Sequence, residues 1–168
     1  LEYWSHRTVD VGPIQAGLGA TWNEGGMLLG LSLAPLRNHA WSALQSTLGK
    51  KSVEETPFPK DLHEQLIRAI HGEPVVWTWH PDLQRGTDFQ KQVWSELMDC
   101  PHGLTWSYSE LALRLKKPGA SRAVGSACGR NPFPLRIPCH RIIAANGSLG
   151  GFTGDLELKR WLLQKESL

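Results

Sequence analysis

The residues best suited to chemistry lie together at Pro138-Cys139-His140-Arg141. A cysteine between a proline and a histidine, with Arg136 and Arg141 close in sequence, sits in a positive local field. Cations beside a thiol favour thiolate, the nucleophilic form. His140 is available as a base. Consecutive side chains on an extended segment point to opposite sides, so a Cys139–His140 contact needs a bend or a bridging water. These residues alone leave three readings open. Cys139 accepts a group covalently, or Cys139 and His140 form a cysteine hydrolase, or the cysteine is incidental in a helix-turn-helix transcription factor. The other two cysteines, Cys100 and Cys128, read as structural. Three cysteines without a CxxC pair argue against a disulfide framework and a zinc site, and predict free thiols in a reducing compartment.

The elements that must position this segment lie just upstream. Ser107-Tyr108-Ser109-Glu110 has capping-box spacing and predicts a helix running to about Lys116. Lys117-Pro118-Gly119-Ala120 breaks it. Ser121 is placed to cap a second short helix through Cys128, stopped by Gly129 and Asn131-Pro132. Two short helices joined by a glycine-containing turn make a helix-turn-helix candidate. The second helix is rich in small residues, Ala123, Gly125, Ser126 and Ala127 among them, which permits close approach to a groove or another backbone. Arg122 is the one long side chain on its early turns. Further upstream, Thr87-Asp88-Phe89-Gln90 fits another capping box, followed by the apolar stripe Phe89, Val93, Leu97 and Met98.

The first half reads differently. Tyr3 to Val11, Ile14 to Trp22 and Met27 to Leu33 predict an antiparallel meander, broken at Gly12-Pro13 and at Asn23-Glu24-Gly25-Gly26. Helices are expected over 36–48 and from Lys60 to His71, and a short strand from Val75 to His80. Pro81 to Gly86 reads as a linker. The expected fold is an α/β N-terminal domain over 1–84, an antiparallel sheet plus helices. A mainly α C-terminal domain over 85–168 follows, with a winged-helix-like helix-turn-helix.

The chain has 168 residues, 18 Lys+Arg and 16 Asp+Glu, and 40% hydrophobic residues. It has the material for a packed core and lacks a run long enough to span a membrane. No basic segment followed by an apolar run opens the chain, so no signal peptide is expected. Charge is unevenly spread. Leu1 to Glu110 carries 8 basic and 13 acidic residues. From Leu111 to Gly154 there are seven basic residues (Arg114, Lys116, Lys117, Arg122, Arg130, Arg136 and Arg141) and no acidic one. A solvated face normally mixes both signs. An acid-free stretch is the footprint of a polyanion-binding face, and places the second helix of the pair at DNA.

Taken together, these blocks resemble the O6-alkylguanine-DNA alkyltransferases. The resemblance rests on PCHR-I-I at Pro138 to Ile143 and SRAVGSACGRNP at Ser121 to Pro132. RGTDFQKQVW at Arg85 to Trp94 and SYSELA at Ser107 to Ala112 precede them; NGSLGGFTG at Asn146 to Gly154 and KRWLL at Lys159 to Leu163 follow. It covers residues 85–168 and fits the first 84 only loosely. It implies single-use transfer of an alkyl group from O6 of a flipped-out guanine (with O4 of thymine a second substrate) to Cys139. His140 would act as base through a water, oriented by Glu166. Tyr108 would protonate the leaving guanine at N3 and press on a phosphate. Arg122 would fill the gap in the base stack. Asn131 would be the hinge between recognition helix and active-site segment. Ser121, Ala123, Arg130 and Arg141 would contact DNA beside them, and Pro134, Ile142, Phe152 and Thr153 would line the base pocket. Phe152 stands where many members have tyrosine, which removes a hydroxyl from the pocket, and Trp106 adds bulk beside the site. The resemblance implies no metal or organic cofactor. It implies duplex DNA containing O6-alkylguanine as partner and no membrane, a monomer, and a place in a prokaryotic cytoplasm or a eukaryotic nucleus.

Overall fold

A computed structural model describes residues 1–12, 14–35, 54–150 and 155–167. The expected helix over 36–48 lies outside the described residues. Three long strands open the chain: β1 (Glu2–Val11), β2 (Ile14–Asn23) and β3 (Met27–Pro35). They pair antiparallel as the turn signals predict, with Ser5 opposite Ala20 and Leu18 opposite Leu33. Two-residue strands pair parallel at the edges, β4 (Glu54–Glu55) on β1 and β5 (His80–Pro81) on β3. The sheet is therefore mixed, in the order β4-β1-β2-β3-β5. The central strand β2 is buried continuously from Ala16 to Trp22. A strand covered on both faces cannot show the polar alternation of a half-exposed one.

Five helices complete the described fold. Helix α1 (Lys60–Ile70) buries Leu62, Leu66 and Ile70 at four-residue spacing, one stripe turned to the core. The strand expected from Val75 to His80 is reduced to β5. Its backbone partners come from α1 side chains instead of a neighbouring strand. Gln65 accepts from the Thr78 N–H and donates to Thr78 Oγ1, and Arg68 donates to the Pro74 carbonyl. Helix α2 (Asp88–Met98) has the predicted Thr87/Gln90 capping box, and α3 (Tyr108–Arg114) the predicted Ser107/Glu110 box. Helix α4 (Ser121–Gly129) differs from expectation: Ser121 is its first residue, not its cap, and the N-cap Ala120 has no side chain able to accept. Helix α5 (Leu156–Glu166) is capped by Asp155, whose Oδ1 accepts from the N–H groups of Glu157 and Leu158.

One side chain ties α2 to α4. The Trp94 indole of α2 donates to the Ala127 carbonyl of α4 at 2.8 Å. The same ring lies against Gly86, where a Cβ would come within 2.4 Å of it, so only glycine fits there. Short strands β6 (Trp106–Ser107) and β7 (Ile142–Ile143) pair parallel beside α3. The expected division at 84/85 falls in a turn where Gln84 N–H donates to Asp82 Oδ1 and Gly86 N–H to Leu83 O. One hydrophobic cluster runs across that point, joining Val11, Leu18 and Leu66 to Val93, Leu111 and Ile137. A backbone bond crosses it too, from Leu31 N–H to Pro132 O. Among the described residues no helix is long and apolar enough to cross a membrane.

Candidate active site and nucleic-acid interface

The site begins where α4 ends. Asn131 organises the following loop with one side chain. Its Nδ2 donates to the Ile137 carbonyl at 2.8 Å and to Cys139 Sγ at 3.2 Å, while its Oδ1 accepts from the Phe133 N–H. Leu135 sits at φ 73°, a left-handed conformation that a branched side chain rarely adopts. The flanking bonds impose it, including Ile137 N–H to Phe133 O at 2.8 Å. The chain then bends into a single 3₁₀ turn over Cys139–Arg141. This is the bend that adjacent cysteine and histidine require.

His140 and Glu166 are both buried. His140 Nε2 donates to Glu166 Oε1 at 2.8 Å, which leaves Nδ1 as the basic nitrogen. Arg141 completes the cluster, its Nε donating to Glu166 Oε2 at 2.8 Å and its Nη2 to Oε1 at 3.0 Å. Its Nη1 donates to the Cys100 carbonyl. Arg141 is thus turned inward, not to DNA: its side chain is 14% exposed and its donors are engaged by protein acceptors. Burial alone would raise the Glu166 pKa, but the hydrogen bonds from His140 and Arg141 outweigh it and hold the carboxyl at about 2. Burial pushes His140 below its ordinary range, against the pull of Glu166, so the imidazole rests neutral.

The thiol also departs from expectation. Burial raises the Cys139 pKa; it does not sit lowered by flanking arginines. The opposing groups are Asn131, the charge of Lys159, and the backbone N–H groups of Cys139 and His140. The resting group is a thiol in a setting already supplied with donors for thiolate. The hydrogen bond reaching Sγ comes from Asn131, not His140.

Lys159 is the functional residue that sequence reasoning passed over. Its side chain is fully buried, and Nζ donates to the carbonyls of Ile142 and, at 2.7 Å, Leu149. The available signal was its register. Lys159, Leu162 and Glu166 fall on one face of α5, so a lysine occupies a core-facing position. A cavity of about 50 Å³ lies beside Cys139, His140 and Lys159, walled also by Leu33, Pro134, Leu135 and Leu158. Pro134, expected to line a base pocket, stands on the wall of this cavity. Ile142 is not among the described walls: its side chain is fully buried in β7, and it serves the site through its carbonyl. Phe152 and Thr153 lie outside the described residues.

Tyr108 opens α3 between two glycines. A Cβ at Gly125 would stand 3.6 Å from its ring, and one at Gly150 would come within 2.9 Å. Burial raises the phenol pKa, as do nearby Cys128 and Cys139, so Tyr108 keeps its proton and is a donor. On the outer face of α4, Arg122, Ala123, Ser126 and Arg130 are exposed and Ser121 half-buried, while Val124, Ala127 and Cys128 face the core. The seven basic residues therefore divide. Arg136 and Arg141 turn inward, and Arg114 pairs with Glu96 at 2.6 Å and lies over the Trp106 ring at 4.0 Å. Lys116, Lys117, Arg122 and Arg130 remain exposed without an acidic partner among the described residues.

The arrangement is a buried thiol beside a buried, hydrogen-bonded His140–Glu166 pair, with a protonated Tyr108 nearby and an exposed basic helix next to it. Comparison with known proteins gives the family. Residues 88–168 match the family described as 6-O-methylguanine DNA methyltransferase, DNA binding domain. A methylated-DNA–protein-cysteine methyltransferase of Mycobacterium bovis is 42% identical over 126 residues, 73% of this chain and 76% of its own. One from Methanosarcina acetivorans is 49% identical over 115 residues, 68% of this chain and 72% of its own. The crystal structure of Mycobacterium tuberculosis OGT in complex with DNA superposes with a TM-score of 0.75 at 36% identity, covering 97% of this chain and 92% of that one. The chain belongs to the 6-O-methylguanine DNA methyltransferase family.

Proposed function

We propose that this chain repairs duplex DNA by moving an alkyl group from guanine O6 onto Cys139 Sγ, once per molecule. The observation that carries the reading is the Asn131 hydrogen bond to Sγ, because that residue joins the nucleophile directly to the end of the exposed basic helix. An alkyl group on O6 is hidden in the base stack, so the nucleotide must be everted, and a damaged base unstacks at lower cost. Arg122 enters the vacancy from α4, with Ser121, Ala123 and Arg130 along the backbone beside it. Helices α3 and α4 with β6 and β7 serve as a winged-helix-like reader of one duplex by one monomer, in cytoplasm or nucleus.

In the transfer, Nδ1 of His140 takes the thiol proton through a water, and Glu166 stabilises the imidazolium. The thiolate forms while Lys159 and Asn131 supply positive charge and a hydrogen bond. It attacks the alkyl carbon, the carbon–O6 bond breaks, and its electrons pass to guanine. Tyr108 donates a proton to N3, so the base leaves neutral. The sulfur ends as a thioether, without a charge to lose or a bond that water cleaves, so the protein is consumed.

The test is a stoichiometry. Excess duplex containing O6-methylguanine with a labelled methyl is incubated with the protein. The expected result is a plateau at one methyl per chain and intact guanine in the DNA. Continued release of product indicates a hydrolase, and retention of DNA without transfer a binding protein; either result overturns the proposal.

A further inference from the structure

One arginine of the basic window, Arg136, turns inward without joining the Glu166 cluster. Arg136 follows the left-handed Leu135 and points away from the helix-turn-helix toward the N-terminal half. Its Nε donates to the Trp79 carbonyl at 3.1 Å, and its guanidinium lies over the Trp77 ring, 5.8 Å from the centroid. Trp79 itself is fixed, buried and donating through its indole to Asp61 on α1 at 2.9 Å. A second tie lies four residues earlier, where the Leu31 N–H of β3 donates to the Pro132 carbonyl at 2.9 Å. Between these two ties stand Pro134 and Leu135, which wall the cavity at Cys139, and across it stands Leu33, also from β3.

We propose that Arg136 is a positioning residue that sets how wide the cavity beside Cys139 opens, by holding the Pro134–Leu135 wall to the N-terminal half. This rests on the alkyl-transfer reading above. Three observations converge on it. The wall is strained at Leu135, and a residue held at positive φ relaxes unless its neighbours over-determine it. The wall is held from two sides: Asn131 bonds Phe133 and Ile137 from the helical half, while Arg136 and Pro132 tie it to the sheet and its edge segment. Pro134 and Leu135 line the cavity directly beside Cys139 and His140, so a displacement of this wall changes the space open at the thiol. Arg136 is half-buried, and that burial lowers its pKa. The N-terminal half then contributes to substrate selection without touching DNA.

The test uses the full chain and free O6-benzylguanine, with the rate of Cys139 alkylation followed against base concentration. Arg136→Ala is expected to raise the half-saturating concentration about tenfold while changing the limiting rate less than twofold, since the wall affects fit and not the thiol. Arg136→Lys keeps the cation but not the planar Nε donor, and is expected to fall between the two. Trp77→Leu leaves the carbonyl tie in place and is expected to shift the same parameter by a smaller factor. A merely structural arginine would lower melting temperature and leave the half-saturating concentration of the folded protein unchanged. That result in Arg136→Lys and Trp77→Leu overturns the proposal even if Arg136→Ala does not fold. Wild-type protein that takes neither a benzyl group from the free base nor a methyl group from duplex O6-methylguanine overturns the alkyl-transfer reading itself, and in a wild type that takes methyl alone the same comparison is made with free O6-methylguanine. A wild type that reacts, with variants that match it, overturns the positioning role alone.

Discussion

Helix α4 and the segment from Asn131 to Arg141 adjoin in the chain but are built on opposite rules. On α4 the long side chains Arg122 and Arg130 are exposed, with small residues between them and no acidic partner in the described structure. In the segment that follows, Asn131, Arg136, His140 and Arg141 each have a side-chain nitrogen donating to a protein acceptor. One surface is left to be completed by another molecule. The other is assembled before that molecule arrives. The difference separates affinity from reactivity: substitutions on α4 should act through DNA, and those in the segment through stability and the thiol.

The strongest way to break this comparison is at Arg141. Arg141→Ala leaves a buried carboxylate with His140 as its remaining side-chain partner, and loss of one partner from a buried ion pair costs about 3–5 kcal/mol. Urea unfolding should show a loss of that order. A change within experimental error would mean that Arg141 is free for DNA after all.

A smaller effect is expected at Asn131. Asn131→Ala removes three hydrogen bonds from the loop, one of them to Sγ, and a buried donor or acceptor left unmatched costs about 1–3 kcal/mol. Stability and transfer rate should fall together, with free base as well as duplex. A loss confined to duplex would place Asn131 at the DNA instead.

Acidification probes the same segment. His140 has a folded pKa below its ordinary 6.5, so the unfolded chain binds that proton first, and stability falls as pH drops below about 6.5. Glu166, at about 2 in place of 4.5, contributes stability that is present above pH 4.5 and lost as pH falls toward 2. Urea midpoints across this range should decline in both windows, and Glu166→Gln should flatten the lower one. An unchanged lower limb in that variant would contradict the cluster's electrostatics.

The smallest stability effect belongs to α4. Arg122→Ala should change stability by no more than about 0.5 kcal/mol, as an exposed substitution at a side chain without an acidic partner among the described residues. It should nevertheless slow reaction with duplex while sparing reaction with free O6-benzylguanine. Equal slowing of both would remove the insertion role.

These contrasts also explain what could be read from residue order. The Thr87/Gln90 and Ser107/Glu110 caps were legible because a capping box is closed within four residues. The β1–β2–β3 meander was legible from its turns. The direction of a charge was not. Arg122 and Arg136 look alike in a basic run, and only the tertiary positions of Trp77, Trp79 and Glu166 decide which faces water. The Val75–His80 strand failed for a similar reason, since Gln65 and Arg68, distant in sequence, hold that segment's backbone. Ser121 has the right chemistry for a cap but lies one residue inside the helix. Lys159 was visible as a lysine on a core-facing stripe, yet its approach to Cys139 depends on how α5 packs against the 3₁₀ turn.

The most direct measurement is which sulfur takes the methyl group. All three thiols are buried, and burial raises Cys100 to about 11 and Cys128 to about 12, without the Asn131 hydrogen bond that Cys139 receives. After reaction with duplex containing O6-methylguanine, peptide mass spectrometry should find the added mass of about 14 Da on the Cys139 peptide alone. A methyl on the Cys100 or Cys128 peptide, or on none of the three, would contradict the account.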